Sequence, residues 1–446
     1  MKHFRETLLL ALPVSLGQLG HILTMVADSV MLGRYNSSHL AASVFAGSVY
    51  MPFMIFCLGC SMGITPLIAQ AIGAKKLEKL NSLFNNALLL YLVLGVVFTI
   101  LFQFLTPLLS LMNQPKEVAL LAPSYFKLLS FSMVPIMLFQ VAKQYAEGWS
   151  DTFWAMIISL GCNLINIVLN YLFIYGNDML NIAEMGLVGA GYSTLIARVL
   201  MAIIMLWYIF KTPSLSNYIT IQLVTIQKNV LREIMKFSVP MGTQFFIEVS
   251  AFAFSSIIVG TFGKESYIAA HQIAFNVATV TFILASGISA AVTVRVGNFF
   301  GAKDKQNANK AFYVALFTTM AFMGFSALII IATREFIPYF YMNENEFNME
   351  IYTLTIAILG IAAIFQLSDG IQLLCVGALR GLGDVNISMW ISIIAYWFIA
   401  IPVGCLLAFV FDMEVIGIWW GFVAGLSCSA ILLFLRFRFM IRKLDF

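Results

Sequence analysis

The chain has 446 residues, of which 61% are hydrophobic and only 10% are charged. Soluble domains carry about 25% charged residues, so this composition, with a mean hydropathy of +0.93, excludes a water-soluble protein of this size. The net charge of +4 does not indicate a nucleic-acid partner, because the basic residues form short clusters between apolar runs, as in proteins whose loops set membrane topology.

Long apolar runs recur along the whole chain and predict an all-α polytopic membrane protein. Continuous runs of about 20 residues indicate spanning helices, whereas a membrane barrel would show short alternating segments. About twelve runs lie at residues 8–32, 42–71, 83–109, 120–146, 152–175, 186–210, 232–261, 268–300, 308–332, 350–379, 385–410 and 414–437.

The two halves of the chain repeat several short motifs. Pro13 opens the first run and Pro240 the seventh, and a Gly-Ala pair precedes both Lys75 and Lys303. Because six spans return the chain to the same side of the membrane, the repeat is parallel, related by an axis along the membrane normal. We therefore predict an N-terminal six-helix lobe, a cytoplasmic connector and a C-terminal six-helix lobe, at residues 1–210, 211–231 and 232–446.

Lysine and arginine are concentrated in the loops that lie on the same side as the N-terminus, and we place Arg380 among these loop residues. The positive-inside rule then predicts that both termini are cytoplasmic. The basic start of the chain leads into a long apolar run without a small-residue cleavage site, which indicates an uncleaved first span.

Three carboxylates, Asp28, Glu248 and Asp369, fall inside apolar runs, whereas the other acidic residues fall in loops or at the ends of runs. A charge within hydrocarbon costs between ~2.5 and more than ~10 kcal/mol, so such residues usually face a water-filled cavity and handle ions, protons or cationic substrates. The alternative is an acid that is hydrogen-bonded for helix packing.

Glu248 and Asp369 both lie near the middle of a span, in the same half, and are predicted to form a cation site. Two adjacent carboxylates repel each other, and Na⁺ or H⁺ would relieve that repulsion. Gln272 and Asn276 lie one turn apart in span 8 and are candidate neutral ligands, because hard cations take several oxygens. Helix packing is the alternative role for these two amides.

A second polar group is predicted in the N-terminal half, around Asp28. His21 lies seven residues before it on the same helix face and is either a satisfied buried histidine or a proton-linked group. Asn166 and Asn170 in span 5 and Thr194 in span 6 either line a hydrophilic cavity or hold helices together. We predict that these five residues contribute to transport.

No enzyme motif is present in the sequence. A P-loop, His-Glu-x-x-His, an Asp-rich prenyl-diphosphate motif and Gly-x-Ser-x-Gly are all absent. The sequence therefore predicts no catalysis, no cofactor and no metal beyond a monovalent cation at Glu248 and Asp369. Any pumping would have to draw on an ion gradient.

Several motifs together carry a family resemblance over nearly the whole length. They are Pro13 with Asp28 and Gly33, Gln70–Lys75, Glu248, Arg295–Lys303, Asp369 and Gly377–Asp384. With these motifs in two six-span halves, the chain resembles the multidrug and toxin extrusion (MATE) family, in its NorM-like branch.

The resemblance implies a V-shaped, monomeric antiporter in a bacterial plasma membrane, surrounded by lipid, that exports cationic aromatic drugs in exchange for Na⁺ or H⁺. It implies that Glu248 and Asp369 form the cation site of the C-terminal lobe, and that Asp28 is needed for transport. Asn170 stands where proton-coupled branches carry an acid, which argues against a complete cation site in the N-terminal lobe and favours Na⁺.

Two other functions remain open from the sequence. A lipid-linked oligosaccharide flippase of the same superfamily would need a cavity rich in Arg or Lys, and only Arg198 and Arg295 are candidates within spans. An intramembrane enzyme would need a metal motif or a nucleophile beside its acids. A channel is disfavoured because no segment resembles a selectivity filter.

Overall fold

The computed structural model describes residues 2–220, 226–342 and 348–444. Within these residues, twelve helical segments are long and apolar enough to cross a membrane. They are α1 (Lys2–Tyr35), α2 (Ser37–Gly73), α3 (Glu78–Leu109), α4 (Lys116–Gly148), α5 (Phe153–Tyr175), α6 (Gly186–Lys211), α7 (Lys228–Gly260), α8 (Glu265–Gly301), α9 (Lys305–Thr333), α10 (Met349–Leu382), α11 (Val385–Val410) and α12 (Glu414–Lys443). This arrangement confirms the predicted all-α membrane protein.

Three of these segments are interrupted. The first part of α2 ends at Ser61 and the second begins at Ile64, and α4 has a break at Ser132. α11 contains two π-helical stretches, Ile394–Ala400 and Leu406–Val410. Such wide turns often occur at functional sites because they turn side chains away from the direction that a regular helix would give.

The predicted connector is only partly described. α6 ends at Lys211, a short helix follows at Pro213–Ser216, and α7 begins at Lys228. Residues 221–225 of the connector lie outside the described residues.

The chain divides into two compact units, one of residues Leu16–Gly242 and one of residues Met1–Ser15 with Thr243–Phe446. We call these the N-terminal and the C-terminal unit, respectively. The first fourteen residues of α1 group with the C-terminal unit, and the division falls two residues after the internal Pro13. The lobe boundaries at 1–210 and 232–446 follow the sequence repeat and stay a prediction.

The unit Leu16–Gly242 has a core rich in aromatic residues. Phe102 lies between Tyr50 and Phe126, with ring centroids 5.5 and 5.3 Å away, and all three rings are buried. Edge-to-face and tilted ring pairs of this kind are favourable at such distances. They fix the packing of α2, α3 and α4.

The C-terminal unit has two large apolar clusters, in which α8 and α10 are central. Phe312 of α9 stacks on Phe437 of α12 with ring centroids 3.8 Å apart. On the outer faces, large apolar side chains such as Phe317 and Phe398 are more than 70% exposed. Exposed apolar bands on long helices fit a protein surrounded by lipid.

A buried arginine ties the first turns of α1 to the end of α8. Arg295 is 5% exposed and donates to the His3 carbonyl at 2.7 Å, to Thr7 Oγ1 at 2.6 Å and to Glu6 Oε2 at 2.8 Å. These contacts lie within the C-terminal unit and hold the start of the chain against it.

Candidate functional site

The C-terminal unit contains a cluster of buried polar side chains centred on Glu248. Glu248 lies in α7 and is 8% exposed. The Tyr396 hydroxyl donates to Glu248 Oε1 at 2.8 Å and lies 3.2 Å from Gln372 Oε1. Tyr396 comes from the first π-helical stretch of α11, so the irregular turn supplies the donor that satisfies the buried carboxylate.

Asp369 lies in α10 three residues before Gln372, and is 4% exposed. Residues at this spacing share one face of a helix. Asp369 makes no hydrogen bond within the described part of the chain, and the buried Glu248 carboxylate repels it electrostatically. Two buried carboxylates that repel each other create a site where a bound cation lowers the free energy.

An amide with free hydrogen-bonding capacity lies beside this pair. Gln366 is one turn before Asp369 on α10 and is completely buried. Neither Gln366 Oε1 nor Gln366 Nε2 has a hydrogen-bond partner among the described residues. A buried amide without partners is costly, so a group that binds its oxygen would offset an existing penalty.

A second buried polar layer lies one turn before Glu248 on α7. Gln244 Nε2 donates to Ser392 Oγ at 2.8 Å, and Arg380 Nη2 donates to Gln244 Oε1 at 3.2 Å. Arg380 lies in the last turn of α10 and is 7% exposed. The placement of Arg380 in a cytoplasmic loop was therefore wrong: α10 continues to Leu382 and buries the guanidinium.

The polar group predicted around Asp28 is partly assembled in the N-terminal unit. Asn170 Nδ2 donates to Asp28 Oδ1 and lies 3.3 Å from Asn166 Oδ1. Asn166 and Asn170 are buried, and Asn170 Oδ1 has no partner in the described ranges. The arrangement presents carboxylate and amide oxygens together, a set that suits a cation.

Two residues predicted for this group are not joined to it by hydrogen bonds. His21 lies on α1 with an exposed side chain, and Thr194 is half-buried on α6. No hydrogen bond between the described residues connects either of them to Asp28. Their contribution to transport stays a prediction.

The two amides predicted as neutral ligands pair with each other instead. Gln272 Nε2 donates to Asn276 Oδ1 at 3.1 Å along α8. Gln272 is exposed and Asn276 is half-buried. No described hydrogen bond connects them to Glu248 or Asp369, so their role as cation ligands also stays a prediction.

The sequence found the carboxylates of this site but missed most of the groups around them. Gln366 and Gln372 flank Asp369 at helical spacing, and Gln244 precedes Glu248 by one turn, so helical periodicity could have indicated them. Tyr396 gave no such signal, because its position depends on a π-helical stretch.

Within the described ranges, no group of three or more His, Cys, Asp or Glu could hold a metal ion.

Comparison with known proteins identifies relatives over the full length of the chain. The MatE family model matches residues 13–172 and 240–406. A probable multidrug resistance protein NorM of Pseudomonas putida is 29% identical over 442 residues, with 99% of this chain and 95% of the relative covered. A multidrug resistance protein NorM of Vibrio vulnificus is 31% identical over 445 residues, with coverage of 98% and 95%.

Solved structures share the same fold. A MATE crystal structure in complex with MaL6 superposes with a TM-score of 0.91 at 23% identity, covering 99% of this chain and 97% of that chain. The eukaryotic MATE transporter AtDTX14 gives a TM-score of 0.86 at 20% identity, with coverage of 99% and 98%.

Proposed function

The chain belongs to the multidrug and toxin extrusion (MATE) family, and we propose that it is a secondary antiporter that exports organic cations in exchange for a monovalent cation. Family membership makes the chain a transporter and not an enzyme. The single observation that carries the proposal is the pair of buried carboxylates, Glu248 and Asp369, in one unit of an otherwise apolar helical protein.

The proposed coupling site is built from Glu248 and Asp369. Gln366 contributes a buried amide oxygen without a described partner, and Gln372 lies on the same face of α10 as Asp369. Carboxylate and amide oxygens together suit a hard cation such as Na⁺. Gln272 and Asn276 remain further candidates if α8 turns toward the pair during transport.

Asp28 is proposed to serve transport from the N-terminal unit. Its carboxylate on α1 supplies a negative charge for an organic cation, and Asn170 of α5 donates a hydrogen bond to it and a second one to Asn166. His21 and Thr194 are proposed to line the same path. Cationic aromatic drugs are the proposed substrates, since the relatives named above are multidrug resistance proteins.

Coupling requires that the cation and the drug prefer different conformational states, or that they compete for the same negative charge. The available energy is sufficient. One monovalent cation that moves down ~100 mV gains ~2.3 kcal/mol, and a tenfold concentration gradient adds ~1.4 kcal/mol. Together these sustain a drug gradient of a few hundredfold when the charge movement is favourable.

The proposed location is a bacterial plasma membrane, with both termini in the cytoplasm and the protein acting as a monomer. The distribution of Lys and Arg supports this orientation.

The flippase alternative is less well supported by the described side chains. Arg295 is ion-paired with Glu6 at 2.8 Å, and Arg198 donates to Tyr50 and Ser132 at 2.6 Å each. Both arginines that the sequence offered for a diphosphate are thus engaged within their own unit.

Ethidium efflux from energised cells tests the proposed function. Glu248→Gln and Asp369→Asn should each abolish efflux at normal expression, because each removes a charge without leaving a cavity. The double variant should be no worse than either single variant, since one site is lost in every case. Glu265→Gln, at the exposed start of α8, is the matched control and should transport normally. Wild-type efflux by either neutral site variant would overturn the proposal.

A further inference from the structure

Arg380 carries a buried positive charge that has no role in the transport cycle proposed above. It is 7% exposed in the last turn of α10, on the same helix as Asp369. Burying a guanidinium costs several kcal/mol unless it is paired and fully hydrogen-bonded. Its Nη2 donates to Gln244, but its Nε has no hydrogen-bond partner in the described part of the chain.

The partner that compensates Arg380 lies beyond Gln244. Glu248 follows Gln244 by one turn on α7, and Arg380 and Glu248 attract each other electrostatically. No ion pair within 4.0 Å joins the two side chains among the described residues. The guanidinium is therefore held near the carboxylate by an intervening amide and is not in direct contact with it.

Hydrogen bonds from α11 hold both Gln244 and Glu248 of α7 in position beside Arg380 of α10. Gln244 is anchored from α11 by Ser392, at 2.8 Å, and Glu248 is anchored from the same helix by Tyr396, at 2.8 Å. Two residues four apart on α7 thus bind two residues four apart on α11. The double anchor fixes the distance from which Arg380 acts on Glu248.

We propose that Arg380 is a positioning residue for ion coupling, which lowers the cation affinity of the Glu248 and Asp369 pair through the Gln244 layer. This inference rests on the proposed function of that pair. A fixed positive charge beside Glu248 makes the site less negative, so a bound cation leaves more readily. An opposite charge of this kind changes ion or proton affinity by about tenfold or more.

The positive charge of Arg380 would promote release of the bound cation. Two buried carboxylates alone would hold a cation tightly, and a cation that does not leave cannot complete an exchange cycle. With Arg380 in place, the guanidinium partly neutralises the two carboxylates when no cation is bound. The cation-free state therefore has a lower free energy than it would have without Arg380. The same sign holds for Na⁺ and for H⁺, because both are repelled by the guanidinium.

The test uses the full-length protein in proteoliposomes, with ethidium as substrate and the cation that drives wild-type efflux as the variable. Arg380→Met should lower the half-saturating concentration of that cation by about tenfold and reduce maximal turnover, because release becomes slower. Arg380→Lys keeps the charge and should restore a half-saturating concentration close to wild type. Gln244→Met removes the connecting layer and should shift it in the same direction as Arg380→Met.

Arg295→Met is the matched control, because it removes another buried arginine of the same unit whose acid partner is Glu6. It should leave the half-saturating cation concentration unchanged in the protein that reconstitutes. If Arg380→Met has the wild-type value, or if Arg380→Lys is as altered as Arg380→Met, Arg380 is only structural and the inference is wrong.

Glu248→Gln separates this inference from the proposed function. If Glu248→Gln keeps wild-type cation dependence, the cation site itself is misplaced. If Glu248→Gln loses cation-driven efflux while Arg380→Met keeps the wild-type half-saturating concentration, the cation site stands and only the role of Arg380 fails.

Discussion

Individual side chains in the spans of this protein fall into two groups, those with satisfied hydrogen bonds and those without. Glu248 is bound by Tyr396 at 2.8 Å, whereas Gln366 is completely buried and unpartnered within the described residues. An unsatisfied buried group lowers stability. It is retained where a ligand or a second conformation completes it.

Gln366→Leu tests whether Gln366 is a cation ligand or only a packed side chain. If Gln366 is a ligand, the substitution should raise stability and lower cation binding. Replacing an unpartnered buried amide by an apolar group of similar size should stabilise the protein by about 1–3 kcal/mol. It should also weaken binding of the driving cation if Gln366 supplies an oxygen. Thermal unfolding in detergent and isotope binding on the same preparation measure both effects.

Gln372→Leu is the matched comparison on the same helix, because the Gln372 amide is already hydrogen-bonded to Tyr396. It should destabilise the protein where Gln366→Leu stabilises it. Stabilisation by Gln366→Leu with unchanged cation binding would assign Gln366 to packing alone.

Asp28→Asn should lower drug efflux strongly while binding of the driving cation persists. Asp28 and its partner Asn170 belong to the unit Leu16–Gly242, whereas Glu248 and Asp369 belong to the other unit. The substitution removes a charge but keeps the shape of the side chain. Isotope binding to purified protein, together with ethidium efflux, measures the two properties. Loss of all cation binding would show that the two units share one site.

The carboxylates were predictable from the sequence because a charge in an apolar run is visible without a structure. The residues around them were less so. Tyr396 reaches Glu248 from a helix about 150 positions away, and no local pattern reports how two distant helices are rotated against each other. Arg380 was misassigned because a charge near the end of an apolar run looks the same whether the helix stops before it or continues past it.

Among the helices, α11 and α12 of the C-terminal unit make an unusually close contact. A Cβ added at Gly421 of α12 would lie 2.4 Å from Gly404 Cα and 2.5 Å from the Ala400 carbonyl oxygen. Real Cβ atoms do not approach backbone so closely, so glycine is required at this crossing. The crossing lies beside the π-helical stretch that contains Tyr396.

Gly421→Ala should therefore force α11 and α12 apart and destabilise the protein by about 1–3 kcal/mol, despite the better helix propensity of alanine. Gly404→Ala is the matched control from the opposite side of the same crossing. There a Cβ meets Ile418 at 3.4 Å, an ordinary contact. Gly404→Ala should therefore not destabilise the protein, and it should gain up to about 0.5–1 kcal/mol, because alanine is favoured over glycine by that amount within a helix.

Thermal unfolding of both variants in the same detergent measures this difference. Equal stability of the two would show that the helices separate without cost.

The twelve helices themselves were predictable, because apolar length sets them. The breaks in α2 and α4 and the π-helical stretches of α11 were not, since they arise from packing between helices.

At the scale of the whole molecule, the two halves share motifs but place their polar groups differently. Alignment of Pro13 with Pro240 puts His21 opposite Glu248. His21 is exposed and makes no hydrogen bond with the described residues, whereas Glu248 is buried and anchored. The repeated positions thus carry different groups, and among the described residues the paired buried carboxylates lie in the C-terminal half.

This asymmetry bears on the coupling ion, for which we favour Na⁺. The site around Glu248 and Asp369 offers carboxylate and amide oxygens that suit a dehydrated metal cation. Asn170 donates to Asp28 and stands where the family resemblance implies an acid in proton-coupled branches, and a neutral amide there favours Na⁺. His21 is the opposing argument, because a histidine side chain can take up and release a proton and would thereby link transport to protons.

Purified protein in proteoliposomes decides between the two ions. Drug efflux should be driven by an imposed Na⁺ gradient at clamped pH, because the paired carboxylates then bind Na⁺ on one side and release it on the other. A pH gradient without Na⁺ should drive little efflux. Glu248→Gln is the control for leak and should respond to neither gradient.

Efflux driven by the pH gradient alone and unchanged by Na⁺ would contradict the Na⁺ assignment. In that case His21→Ala identifies the route: selective loss of the proton-driven component would place the coupling group on α1, within the half that lacks the carboxylate pair.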